Sequence, residues 1–404
     1  RDANAPRVYI YELPPRYNSW MHAGAGGWWQ DLDLWGEDVI IHRRALRSAY
    51  RVENASEADY FLVPIWVSSA MWQMNWGFRD LLITGQRTVA ECAQYLRDTW
   101  PYYERHGGKD HIWVFGHDQG GWRIRAKVPS IAEGIYISPF GAGSAQRGGH
   151  KTGHDIVVPP VLYSGVPVGL LNHAGRRKKA QQNLAFFQGK LNLHIPYEYS
   201  FGIRQGLYKA HRNTPGIVVK EGHEANRETY FENMCGSKFC VAAAGFGFST
   251  RAYEAATAGC VPLVMQDGVE QAFEDLLPWP LFSLRLNNSL GHIATLDKYI
   301  ASHYSDAALR ALRTRLYCVW PRFLWLRHDA SPTPLPSSEP LLKFDAFESV
   351  MWTLRKRLHK DITWPPDWDE GCRAVQSYFK QPPPSMGSME WAPWANYEFD
   401  PPAA

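Results

Sequence analysis

From Leu184 to Leu277 short apolar runs alternate with segments of helical spacing, and this alternation constrains the fold more than any other feature of the chain. Leu184 to Phe187, Ile217 to Val219, Phe239 to Ala243 and Val261 to Met265 are apolar on every residue, the pattern of parallel strands buried on both faces. Ile203 to His211, Glu228 to Met234, Arg251 to Ala258 and Val269 to Leu277 read as the helices between and after them. Repeated βα units with short links predict a doubly wound sheet, which takes its ligand beyond the carboxyl ends of the strands.

The upstream half carries a looser version of the pattern. Val8 to Tyr11, Tyr60 to Ile65, His111 to Phe115 and Ile156 to Val158 read as strands, with helices around Arg43 to Tyr50 and from Val89 to Trp100. The glycine-rich stretch Phe140 to Gly153 reads as a surface loop. Ser331 to Pro340 reads as a linker, followed by a helix from Phe344 to His359 and a Trp/Pro-rich tail. The expected division is therefore an α/β chain with Rossmann-like domains at 1–180 and 181–330, and a segment 331–404 that packs back on the first.

With 404 residues, 45% hydrophobic, the chain has material for two buried cores, and a disordered or fibrous protein is excluded. A formal charge of +3 gives no bulk field for nucleic acid, so any anion site must be local. Six cysteines without a CxxC pair are too few and scattered for a disulfide scaffold or a structural zinc. Asn54-Ala-Ser56 and Asn287-Asn288-Ser289 fit the N-glycosylation pattern and lean toward a secretory lumen. No run approaches a membrane span, and Arg1 begins without a start Met, so a cleaved or omitted signal or anchor is expected.

The chemistry concentrates between Lys238 and Asp267. After the strand, Gly245-Phe246-Gly247 can turn without a Cβ penalty, and Ser249 or Thr250 can cap the following helix, whose free N–H groups favour an anion such as pyrophosphate. Arg251 sits in the first helical turn, where the macrodipole disfavours a cation unless an anion is bound. Glu254 shares its face and can pair with it or accept hydrogen bonds from ribose hydroxyls. The same glycines resemble a dinucleotide fingerprint, with Asp267 ending the next strand, so an NAD-type oxidoreductase is the rival reading. Against it, Thr250 replaces the third glycine.

Ser237-Lys238-Phe239-Cys240, Ser249-x-Arg251-x-x-Glu254-Ala255 and Ala258-Gly259-Cys260-Val261-Pro262 together resemble the signature of the exostosin family of glycosyltransferases. Val8 to Pro14, Ala58 to Pro64, Asp110-His111, His117-Asp118, Phe186-Phe187-Gln188-Gly189 and Arg204 follow the family order, so the likeness spans residues 7 to about 325. It implies a GT-B architecture of two facing Rossmann-like domains and sugar transfer with inversion. The resemblance also implies a UDP-sugar donor and a polysaccharide or glycoprotein glycan as acceptor. It also implies a type II membrane protein in the Golgi lumen, as a homo- or hetero-oligomer or alone. The chain departs from the family at Ala243-Ala244-Gly245, where many members have Pro-Arg-Gly.

An inverting transfer needs a base on one side of the anomeric carbon and charge neutralisation on the other. Arg204, Arg251 and the amides near Ser249 are assigned to the pyrophosphate, Glu254 to the ribose, and His117 or Asp118 to the base, because they follow a strand of the other domain. Glu270 is a lesser candidate. Asp31-Leu-Asp33 and Asp367-Trp-Asp369 read as surface loops, so no metal is expected. The basic run Arg176 to Lys179 reads as solvated surface. A catalytically inactive partner subunit is a further alternative.

Overall fold

The computed structural model describes residues 4–19, 34–68, 81–118, 120–143, 149–163, 165–176, 181–195, 199–222, 227–326, 339–359 and 368–380. A six-stranded sheet, parallel throughout, runs β2 (Arg51–Val52), β1 (Val8–Ile10), β3 (Tyr60–Val63), β4 (His111–Val114), β5 (Ile135–Ser138), β7 (Ile156–Val157). A five-stranded parallel sheet runs β13 (Leu284–Arg285), β11 (Val261–Met265), β10 (Ser237–Ala243), β8 (Asn183–Gly189), β9 (Ile217–Glu221). Read from its first strand, each sheet has the order 2-1-3-4-5 of a doubly wound fold, the first with one strand added at its edge. Two such sheets meeting through the loops at their carboxyl ends form a GT-B chain. Most of the linker Ser331 to Pro340 and the tail beyond Lys380 lie outside the described residues.

The all-apolar strands lie where full burial requires them. β11 is buried at every residue and pairs with β10 from Phe239–Val261 to Ala243–Met265. The helix Arg251–Ala258 between them presents Ala252, Ala255, Ala256 and Ala258 to the sheet, and these small side chains allow the close approach. Gly259 closes that helix in the left-handed conformation at φ 68°, where a Cβ would be strained.

Two sequence expectations are overturned here. Val269 to Leu277 is not a helix: Val269–Glu270 forms β12, and Phe273 takes φ 55°, which no helix accommodates. Phe140 to Gly153 is not merely a surface loop, because Gly141–Ala142 forms β6, antiparallel to β12, with Phe140 and Ala142 buried. The apolar residues Val269, Ala272, Phe273 and Leu276 mimic a helical stripe because they bury against several elements. This ribbon joins one half of the chain to the other, and Gly141 is needed there because a Cβ would come 2.7 Å from a Val157 methyl.

The helix Ala346–Leu358 adds further ties. Tyr60 and Tyr50 of the first half donate to Leu354 O at 3.1 Å and Glu348 Oε2 at 2.7 Å, while Lys356 donates to Asp275 O at 2.7 Å. Arg357 Nη2 donates to Asp155 O at 2.8 Å. Asp155 is itself a hub, taking Arg125 in a two-pronged pair at 2.6 and 2.7 Å and the backbone N–H groups of Tyr136 and Lys151. Burial alone would raise its pKa, but the Arg125 hydrogen bonds prevail and hold it well below the ordinary 3.8. A lowered carboxylate pKa means stability present above 3.8 and lost as pH falls through the folded value. Asp155→Ala leaves a buried guanidinium unpaired and is expected to cost about 3–5 kcal/mol, read as a lowered melting temperature at neutral pH.

The cysteines, whose pairing the sequence left open, form two isolated disulfides, Cys240–Cys260 and Cys318–Cys372, and Cys92 and Cys235 are free. The first ties β10 to the start of β11; the second ties the helix Trp368–Lys380 to the helix Asp306–Val319. Closing spans of 20 and 54 residues, they are expected to add about 3 and 4 kcal/mol respectively. Thermal melts with and without reductant check this, and coincident melts would contradict it.

Candidate active site

In a 2-1-3-4-5 sheet the ligand crevice opens where the chain reverses direction across the sheet, here between β8 and β10. A cavity of about 480 Å³ lies there, lined by Gln188 from β8, Gly222 beyond β9, Tyr230, Phe248, the segment Ser249 to Arg251, and Glu254. The helix Arg251–Ala258 points its N-terminus into this space, with Thr250 as N-cap but no side-chain cap bond. Ser249 Oγ accepts weakly from the Arg251 N–H at 3.4 Å. The amides are therefore placed for an anionic ligand.

The two glycines of the turn serve space, not left-handed backbone, for neither has a positive φ. A Cβ on Gly247 would overlap the Asp118 carboxylate, whereas one on Gly245 would touch Tyr199 Oη at 3.3 Å and Arg204 Nη2 at 3.6 Å. Gly247 thus lets this turn close onto the opposite half.

Arg251 Nε donates to Gln188 O at 2.6 Å, and its guanidinium lies 5.2 Å from the Phe187 ring centroid. Gly189 makes room for that guanidinium: a Cβ there would overlap Nη2. Arg204 approaches the same ring at 5.5 Å but is buried. It donates to Ala243 O at 2.7 and 3.3 Å, to Lys190 O at 3.2 Å and to Tyr199 Oη at 2.5 Å. Burial, with the like charge of Arg251, pushes its pKa down to about 9, so it remains a cation at neutral pH. Arg204 therefore holds the end of β10 and adds positive field, while Arg251 faces the cavity. Among the described residues neither forms an ion pair with a carboxylate, which removes the Arg251–Glu254 pairing allowed by the sequence.

Glu254 is buried and accepts from the Tyr230 hydroxyl. A carboxylate offers about four lone-pair sites, so capacity for ribose hydroxyls remains. Gly189→Ala should displace the Arg251 guanidinium and lower UDP affinity about tenfold or more while the strand stays intact, because one charged hydrogen bond contributes roughly 1.5–3 kcal/mol. Calorimetric titration with UDP measures it.

Across the cleft, Asp118 Oδ1 lies 3.0 Å from His117 Nδ1. His117 is buried beside the Trp35 ring at 4.7 Å, and burial lowers its pKa, leaving a neutral imidazole at pH 7. With the proton on Nδ1 the ring orients the carboxylate. Asp118 does not line the large cavity; it packs on Gly247 and lines a recess of about 20 Å³ with Arg125, His150 and Asp155. Glu270, on β12, accepts from His150 Nε2 at 2.5 Å and Thr152 Oγ1 at 2.9 Å, and the His150 bond holds its pKa below the usual carboxylate value.

Asp267 Oδ2 accepts from the Asn288 N–H at 2.9 Å and is not among the cavity residues, so it does not serve as the ribose carboxylate of a dinucleotide site. Asp369 is not in a loop but in the first turn of the helix Trp368–Lys380. Asp31, Asp33, Asp367 and most of the basic run, Arg177 to Lys179, lie outside the described residues. No group of three or more His, Cys, Asp or Glu is placed to hold a metal among the described residues. Sequence reasoning missed Tyr230, Tyr199 and His150; Tyr230 and His150 reach Glu254 and Glu270 through tertiary packing, and Tyr199 meets Arg204 across a non-helical turn, so none leaves a spacing signal.

The Exostosin GT47 domain profile matches residues 2–292. A "Probable glucuronosyltransferase" of Oryza sativa subsp. japonica is 27% identical over 363 residues, covering 87% of this chain and 81% of its own. A "Probable glucuronoxylan glucuronosyltransferase" of Arabidopsis thaliana is 29% identical over 326 residues, covering 77% and 66%. A solved structure titled "Crystal structure of GtfA/B complex" covers 68% of this chain and 61% of its own, at 10% identity and a TM-score of 0.29, a likeness too low to carry weight. The two parallel sheets, the anion-facing helix at the switch point and the profile match across most of the chain agree: this chain is a glycosyltransferase and belongs to the exostosin GT47 family.

Proposed function

We propose that this chain transfers a sugar, with inversion and without a metal, from a UDP-sugar to a polysaccharide or glycoprotein glycan. The carrying observation is Arg251, which Gln188 and Gly189 hold at the mouth of a cavity that also takes the helix N-terminus and Glu254. In this reading residues 181–330 hold the donor and residues 1–180 present the acceptor. The pyrophosphate meets Arg251 and the Ser249 to Arg251 amides, Glu254 takes the ribose, and Tyr230, Phe231 and Phe248 wall the base. As the glycosidic bond breaks, the cations offset charge on the leaving UDP, and Asp118 removes the acceptor proton from the opposite side.

Glucuronate is the first sugar to test, because the plant relatives are named glucuronosyltransferases. Two disulfides suit an oxidising lumen, and Asn54 and Asn287 are exposed, which supports a Golgi setting with glycans at both. No helix among the described residues is long and apolar enough to cross a membrane. UDP release from UDP-glucuronate, UDP-xylose, UDP-galactose and UDP-arabinose with glycan acceptors tests the proposal. UDP binding without turnover on any pair would favour the inactive partner-subunit alternative.

A further inference from the structure

Ser200, Phe201 and Gly202 take positive φ in succession, at 58°, 52° and 77°. Glycine accepts this freely, but the other two are strained there and persist only where the surroundings enforce it. Here Ser200 N donates to Gly245 O at 3.1 Å, and Tyr199, just before, is fixed by Arg204 and by Gln205 Nε2 on its carbonyl at 3.3 Å. The strained turn is thereby fastened to the glycine turn of the donor site. What it displays is Phe201, 51% exposed.

Phe246, at the tip of the glycine turn, is 58% exposed and stands edge-on to Tyr199 at 5.0 Å. These two are the exposed phenylalanines among the described residues, and they come from two segments joined by the Ser200–Gly245 bond. Gly247, next in the chain, packs on the Asp118 carboxylate. Phe246 therefore lies one residue from the contact with Asp118, the group assigned as base, and Phe201 lies on the segment bonded to the same turn. A solvent-exposed aromatic face suits the C–H face of a pyranose ring, whose hydroxyls stay in water.

We propose that Phe201 and Phe246 form an acceptor subsite, a stacking platform for sugar units flanking the one attacked. This rests on the transferase reading above and adds the residues that grip the acceptor glycan beyond the unit attacked. The full chain is assayed with neutral xylo-oligosaccharides of increasing length, alongside calorimetric binding of xylohexaose in the presence of UDP. Phe201→Ala with Phe246→Ala should raise KM for the hexaose about tenfold or more, with kcat, UDP affinity and turnover of short acceptors unchanged. Phe246→Trp should retain affinity. Because both rings are exposed, the variants should fold; Phe201→Gly should also melt above Phe201→Ala, since it relieves the positive φ.

Unchanged hexaose affinity in the double variant, no hexaose binding by the wild type, or a matching loss of UDP affinity would each overturn the platform. Equal melting of the Gly and Ala variants would also overturn it, by removing the strain that singles out Phe201. Absence of UDP release by the wild type is a separate failure, of the transferase reading, and leaves the xylohexaose binding measurement to decide the platform.

Discussion

Arg251→Ala should weaken UDP binding about 10- to 150-fold, the loss expected when a charged hydrogen bond to phosphate disappears. Turnover should fall further, about 100- to 1000-fold, because charge on the pyrophosphate grows as the sugar leaves. The melting temperature should move little: within the described structure the side chain makes one hydrogen bond, to Gln188 O, and stacks on Phe187. Arg251→Lys should recover only part of the loss. A lysine is a point charge and cannot bond Gln188 O and still present a planar pair of donors to phosphate. If Arg251→Ala bound UDP as tightly as the wild type, the cavity at the switch point would not be the donor site.

Asp118→Asn should leave UDP affinity unchanged and lower kcat about 100- to 10,000-fold, the range for removing a general base. The asparagine keeps the shape that packs on Gly247 and can still meet His117, so the closed arrangement of the two halves should survive. It cannot accept the acceptor proton. In the proposed mechanism His117 touches Asp118 and not the acceptor, so His117→Gln should reduce kcat less than Asp118→Asn does. Full activity in Asp118→Asn would move the base elsewhere, and Glu270, bonded to His150 and Thr152 at the ribbon between the halves, would be examined next.

Much of the second half was legible because its signals are local. The helix Arg251–Ala258 and the strand Val261–Met265 fall on the residues their patterns indicated, since a run buried on both faces and a small-residue helix leave no competing period. Val269 to Leu277 misled because its buried residues answer to several neighbours at once, including the β6–β12 ribbon, and not to one helical face. The strand Ile135–Ser138 and the helix Val166–Arg176 went unread; the latter contains Pro167 and Gly169, both poor helix signals. Gly169 is there because the Phe231 ring occupies the place of a Cβ.

Of the candidate site, the clustering of four residues was legible, but not the partners of the others. Ser249, Thr250, Arg251 and Glu254 do share one cavity, but Arg204 spends its donors on backbone carbonyls and a tyrosine beneath it. Gly245 and Gly247 read as turn formers, yet Gly247 is required by a contact with Asp118, distant in sequence, that no spacing rule carries.

The central claim is that the cavity between β8 and β10 holds a uridine diphosphate through Arg251 and Glu254. Calorimetric titration of the wild type, Arg251→Ala and Glu254→Ala with UDP and, separately, with NADH tests it most directly. The expected result is saturable UDP binding by the wild type, at least tenfold weaker in each variant, and no binding of NADH. Binding of NADH alone, or UDP binding equal in all three proteins, would contradict the account.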